Sequence, residues 1–174
     1  MTLQNIKDSV RNIPDYPKKG IQFKDITTAI KQPAIFKEII DLFFEHYKNK
    51  KIDYVAGIES RGFIFASALA YLLNCGLIPI RKSGKLPADV ISQEYELEYG
   101  TDKIEIHQDA LKNGDKVLII DDLLATGGTA KASAELIEKT GAEIAGFAFM
   151  IELKGLDARP NLEKYGKVFS LIEY

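Results

Sequence analysis

Lys116–Thr140 reads KVLIIDDLLATGGTAKASAELIEKT, and this stretch decides the fold. Val117–Ile120 is a short apolar run rich in β-branched residues, which suits a buried strand or part of a buried helix. Its flanks favour the strand. Asn113-Gly114-Asp115 makes a turn before it, and Asp121 and Asp122 stand where it ends. Leu123–Thr129 then reads as a loop with two consecutive glycines. Ala130, Ala134 and Ile137 recur at helical spacing until Gly141 stops the helix. Strand, acidic pair, glycine loop and helix, in that order, suit a phosphate site at the carboxyl edge of a parallel sheet.

The rest of the chain supplies the neighbours. Leu3, Ile6, Val10 and Ile13 have helical spacing, closed by Pro14, Pro17 and Gly20. Ile21–Thr28 reads as extended or loop-like. Pro33 suits the first turn of a helix whose apolar face runs from Ile35 to Tyr47. Ile52–Ile58 predicts a strand, Phe63–Leu73 a buried helix and Leu77–Ile80 a second strand, which together make a βαβ crossover. Tyr95, Leu97 and Tyr99 alternate with Glu94, Glu96 and Glu98, and Ile104 and Ile106 flank Glu105. This pattern is a β-hairpin or long flap. Ile144–Ile151 and Val168–Tyr174 supply two more strands. The expected fold is α/β over a single domain, with a mainly parallel central sheet of roughly five strands flanked by helices.

Composition narrows the function. A net charge of −2 over 174 residues gives no footprint for nucleic acid or an anionic membrane, so an anionic ligand must be caught by a local cluster. Cys75 is the only cysteine, which excludes a disulfide framework and a paired-thiolate metal site; it reads as a small buried hydrophobe. His46 and His107 lack metal-ligand spacing. The N-terminus has no apolar signal core and no run reaches membrane-spanning length, so cytoplasm is the expectation.

Each candidate site has a bland alternative. Ala125, Thr126, Gly127, Gly128 and Thr129 form either an anion loop or a plain turn with threonine as N-cap. No Gly-Lys-Ser/Thr follows, so this is not a Walker A loop, and no GxGxxG occurs. Asp121 and Asp122 would repel unless hydroxyl donors, such as a ribose diol, or a water-held magnesium ion answered them; otherwise they are a capping or solvated pair. Arg61 follows one strand, and Arg81, Lys82 and Lys85 follow another. At one sheet edge they make a cationic pocket for a polyphosphate, and apart they make solvated loops. Nothing in the pattern distinguishes Glu98 from Glu94 and Glu96, and Phe23 by itself reads as core, with only its neighbourhood arguing otherwise.

LIIDDLLATGGT (Leu118–Thr129) resembles the phosphoribosyl-pyrophosphate (PRPP) motif of type I phosphoribosyltransferases. FKDIT (Phe23–Thr27), GIESRGF (Gly57–Phe63), RKSGKLP (Arg81–Pro87) and LEYGTDKIEIH (Leu97–His107) extend the resemblance to the adenine phosphoribosyltransferase family. The resemblance implies that adenine and PRPP give AMP and pyrophosphate in purine salvage, with Mg2+ held mainly by the phosphates and water rather than directly by the protein. It implies that Ala125–Thr129 hold the 5′-phosphate and that Asp121 and Asp122 hold the ribose hydroxyls. Pyrophosphate falls to Glu59, Ser60, Arg61, Arg81, Lys82 and Lys85, with the Glu59–Ser60 peptide able to be cis. Glu98, as acid/base, and Tyr99 would close on a flap of about residues 90–107. Phe23 and Leu153 would sandwich adenine, and the backbone around Gln22 and Lys24 would read its edge. A hood from about residues 1–30 and the C-terminal segment, and a homodimer, complete what the resemblance implies. Transfer to guanine, xanthine or orotate, and a ligand-sensing regulator on the same fold, are the competing functions.

Overall fold

In the computed structural model, which describes residues 2–96 and 100–174, the chain begins with helix α1 (Leu3–Ser9) and strands β1 (Arg11–Pro14) and β2 (Gln22–Asp25). Helices α2 (Thr27–Ile30) and α3 (Pro33–Tyr47) follow, then β3 (Tyr54–Ile58), α4 (Gly62–Leu73) and β4 (Gly76–Lys82). A hairpin of β5 (Val90–Glu96) and β6 (Thr101–His107) precedes β7 (Lys116–Leu124), α5 (Gly128–Glu138) and β8 (Glu143–Glu152). Helix α6 (Arg159–Glu163) and strand β9 (Val168–Glu173) close the order.

The main sheet runs β5-β6-β4-β3-β7-β8-β9. Strands β4, β3, β7, β8 and β9 are mutually parallel, and the hairpin extends that sheet antiparallel at the β4 edge. Burial on both faces explains the apolar runs. Along β7, Val117 and Ile119 enter one core with Ala134 and Ile137 of α5. Leu118 and Ile120 enter the other with Ile39 and Phe43 of α3 and Phe65 and Leu69 of α4. The chain leaves β3 through α4 toward β4 and leaves β7 through α5 toward β8. Connections therefore diverge between β3 and β7, and divergence opens a crevice at the strands' carboxyl ends.

Four expectations need correction. The first helix stops at Ser9 rather than near Ile13, because Arg11–Pro14 pairs with β2 (Ile13 opposite Phe23) and Arg11 forms an ion pair with Asp25. β7 runs through the aspartates to Leu124, because β8 stays beside it as far as Glu152. Arg81 and Lys82 lie in β4, not past it, since β6 pairs with both. Cys75 is half-buried against the core rather than fully enclosed.

Candidate active site in the crevice between β3 and β7

The overrun of β7 gives the crevice its carboxylates. Its pairing with β3 ends at Ile120, so Asp121 and Asp122 stand beyond their neighbour on one side while β8 supports them on the other. Asp122 is buried, and its Oδ2 lies 2.7 Å from Arg61 Nε; this is a charge contact without an aligned hydrogen bond. Asp121 is less enclosed, and its Oδ1 accepts the Asp122 amide at 2.8 Å. Burial, then the charge of Asp122, hold the Asp121 carboxyl well above the usual carboxylate range. Gly62 makes this junction possible. A Cβ there would sit 2.7 Å from the Ile120 carbonyl oxygen and 3.1 Å from Asp121 Oδ1, so only glycine lets α4 bring Arg61 this close. Glu59, Ser60, Arg61, Asp121 and Asp122 line a cavity of about 250 Å³, and the Glu59–Ser60 peptide is cis.

The glycine loop follows directly. Gly127, at φ 80° and ψ 1°, is the N-cap of α5, and no side chain caps the helix. The threonine N-cap reading therefore fails, and the orphan amides of the first turn are left for a ligand. A cavity of about 100 Å³ runs from Asp121 through Leu123–Ala130, with Phe149 behind it. Thr126 is exposed at its rim.

The cations come with carboxylates already attached. Glu59 receives Arg81 Nε and Nη2 at 3.3 Å each and the Lys82 amide at 2.9 Å, while Arg81 Nη1 donates to the Lys85 carbonyl at 3.0 Å. Burial would raise the Glu59 carboxyl, but Arg81 and the Lys82 amide outweigh it and hold the group below its ordinary value. The Glu59 side chain thus braces Arg81, which leaves backbone, not carboxylate, to meet an anion. Sequence reasoning missed two further carboxylates. Asp102 accepts Lys82 Nζ at 2.9 Å. Glu105, buried, accepts the Ser83 hydroxyl at 2.6 Å and the Gly84 amide at 2.9 Å, fixing the turn before Lys85. The only signal was a turn whose donors need acceptors.

Phe23 is half-buried in β2, edge-on to Tyr16 at 5.2 Å, with the Arg61 guanidinium carbon 5.4 Å from its ring centroid. The small β1–β2 sheet therefore reaches the arginine of the crevice. Exposed Gln22 accepts from Asn12, and Lys24 lies over the Tyr174 ring at 3.9 Å. Leu153 is tied to the head of β7 by its amide, which donates to the Leu124 carbonyl at 2.9 Å. Glu98 and Tyr99 lie outside the described residues; their neighbours Glu96 and Thr101 are paired. Among the described residues no group of three or more His, Cys, Asp or Glu could hold a metal, and no helix is long and apolar enough to cross a membrane.

Residues 27–173 match the family described as phosphoribosyl transferase domain. The chain is 56% identical to an adenine phosphoribosyltransferase of Chloroflexus aurantiacus over 174 residues, covering 100% of both. It superimposes on the crystal structure of that enzyme from Thermoanaerobacter pseudethanolicus with TM-score 0.96 at 50% identity, covering 99% of this chain and 100% of the other. The Saccharomyces cerevisiae enzyme, solved with adenine and an imino-altritol bisphosphate, matches with TM-score 0.92 at 40% identity over 98% of each chain. A crevice carrying an uncapped glycine-loop helix, two strand-end aspartates and paired cations thus belongs to a chain of the phosphoribosyltransferase family, in its adenine phosphoribosyltransferase branch.

Proposed function

We propose a residue-by-residue division of labour for the transfer of the 5-phosphoribosyl group from PRPP to adenine, the purine-salvage reaction of this family that yields AMP and pyrophosphate. The observation that carries it is the uncapped start of α5 beside Asp121 in the crevice that also holds Arg61. A ligand filling that crevice needs a monophosphate end, a diol and a second anionic group, and PRPP has all three.

Ala125–Thr129 hold the 5′-phosphate through backbone amides and the two threonine hydroxyls. Asp121 and Asp122 receive the ribose hydroxyls, with Arg61 neutralising Asp122 from below. Positive charge grows on the ribose as the C1–oxygen bond to pyrophosphate breaks, and negative charge grows on the leaving group. Arg61, Arg81, Lys82, Lys85 and the backbone at Glu59–Ser60 stabilise that leaving group. Mg2+ would be held mainly by substrate oxygens, since Arg61 already answers Asp122; Asp121 is the carboxylate left to meet it, through water. When bound, the ion supplies charge neutralisation of the pyrophosphate.

Adenine lies between Phe23 and Leu153, with the backbone at Gln22 and Lys24 on its edge. Glu98 takes the proton lost as N9 attacks, and Tyr99 accompanies it on a flap of residues 90–107 that keeps water from PRPP. The hood is the segment 1–30 joined to the C-terminus. Lys7 Nζ donating to the Glu173 carbonyl and the Tyr174 hydroxyl donating to the Lys7 carbonyl support that grouping within one domain of residues 1–174. A homodimer completes the proposal. The test is PRPP-dependent turnover of adenine, guanine, xanthine and orotate, with Mg2+ omitted and restored. Adenine alone reacts, and only with the metal. Turnover of another base with adenine inert overturns the base assignment.

A further inference from the structure

Asp102 occupies the second position of β6, opposite Tyr95 on β5. Its Oδ2 accepts from the Lys82 ammonium at 2.9 Å and from the Tyr95 hydroxyl at 3.1 Å. Thr129 of the glycine loop faces the same space. These four residues and Asp121 border one cavity of about 290 Å³. Two side chains of the hairpin stem therefore hold a cation at the end of β4 beside a cavity that the phosphate loop also borders.

The link does little for the fold. The Lys82 side chain is 58% exposed and that of Asp102 25%, and ion pairs this open add little stability. What the contact fixes is position. A lysine ammonium on four flexible carbons spreads over many rotamers unless something holds it. The contact with Asp102 raises the Lys82 ammonium above its ordinary value, and the same contact, before any other, lowers the Asp102 carboxyl. Cation and anion both persist at neutral pH.

We propose that Asp102 is a positioning residue of the transferase: with Tyr95 it holds the Lys82 ammonium over the substrate cavity, aimed at the pyrophosphate end of PRPP. This rests on the assignment of Lys82 to pyrophosphate made above. The sign of the effect is diagnostic. A carboxylate beside an anionic ligand repels it, so Asp102 without a positioning role would weaken PRPP binding, and its loss would strengthen it.

Steady-state kinetics of the full chain with Asp102→Asn, Lys82→Met and the double variant decide the matter. Asp102→Asn raises KM for PRPP about fivefold and leaves kcat and KM for adenine within about twofold. Its melting temperature stays at the wild-type value. In the Lys82→Met background the same substitution adds nothing, and Asp102→Glu recovers most of the PRPP affinity. An unchanged or lowered KM in Asp102→Asn overturns the proposal, as does an equal rise in the Lys82→Met background. If Lys82→Met by itself leaves KM for PRPP unchanged, the assignment of Lys82 fails and takes the proposal with it. If Lys82→Met raises KM and Asp102→Asn does not, the positioning role alone is lost.

Discussion

The glycine loop and the cationic edge face one crevice, yet their donors are held in different ways. At Ala125–Thr129 the donors are backbone amides at a helix start with no side-chain cap. At the other edge Arg61 lies on Asp122, Arg81 on Glu59 and Lys82 on Asp102. The amides carry only partial charges and are held in place by the backbone, so the loop needs no counter-charge. Three cations crowded at strand ends do repel, and their carboxylates let them gather before ligand arrives. The loop's strength therefore rests on backbone geometry, and that of the cationic edge on a set of separable pairs.

Gly127→Val attacks the geometry and has the largest effect. Gly127 sits at φ 80°, and a Cβ there would lie 3.1 Å from Ala158 Cβ, so a β-branched side chain meets both backbone strain and a packed neighbour. The amides of the first turn lose their common aim. We expect kcat/KM for PRPP to fall at least about 100-fold while circular dichroism remains that of the folded chain. A variant with near-normal kinetics would show that the loop's donors do not depend on this turn.

Asp121→Asn comes next and joins the two halves, since Asp121 borders the cavities of both. Loss of a charged hydrogen-bond acceptor to the ribose lowers kcat/KM about 50-fold. Stability moves the other way. Burial and the charge of Asp122 raise the folded-state Asp121 carboxyl, so its ionisation disfavours the fold above the ordinary carboxylate range and does nothing below it. Asp121→Asn should therefore melt higher than wild type at about pH 7 and the same at about pH 3. Wild-type activity should decline on the acid side at a pH above that of an ordinary aspartate. A lower melting temperature at neutral pH would show that Asp121 is not held against its charge.

The same contrast explains what was legible in the sequence. The glycine loop is local: Lys116–Thr140 spells strand, carboxylates, turn and helix without help from elsewhere, and the parallel sheet follows from it. Strand ends are not local. β7 passes Asp122 because β8 remains beside it, and β4 includes Arg81 and Lys82 because β6 returns to pair with them. Nor are the partners of the cations. Asp102 and Glu105 meet Lys82 and the Ser83–Gly84 turn across about twenty residues of chain, through a hairpin register that alternation does not reveal. Val10 and Ile13 kept helical spacing, but pairing of Arg11–Pro14 with β2 overrode it. The approach of Phe23 to Arg61 likewise exists only once β1–β2 has folded over the crevice.

Glu59→Gln is the mildest test and the one that separates the halves most sharply. It keeps the shape and removes the charge that receives Arg81 through two nitrogens. Arg81 retains its bond to the Lys85 carbonyl, so the guanidinium is loosened rather than freed. KM for PRPP should rise about threefold with little change in kcat. Because the Arg81 and Glu59 side chains are 32% and 18% exposed, added salt reaches the pair and should narrow the gap between variant and wild type. No such narrowing is expected for Gly127→Val, whose defect is a misplaced backbone that salt cannot screen. If the two variants respond to salt alike, the distinction between a geometric half and an ion-paired half fails.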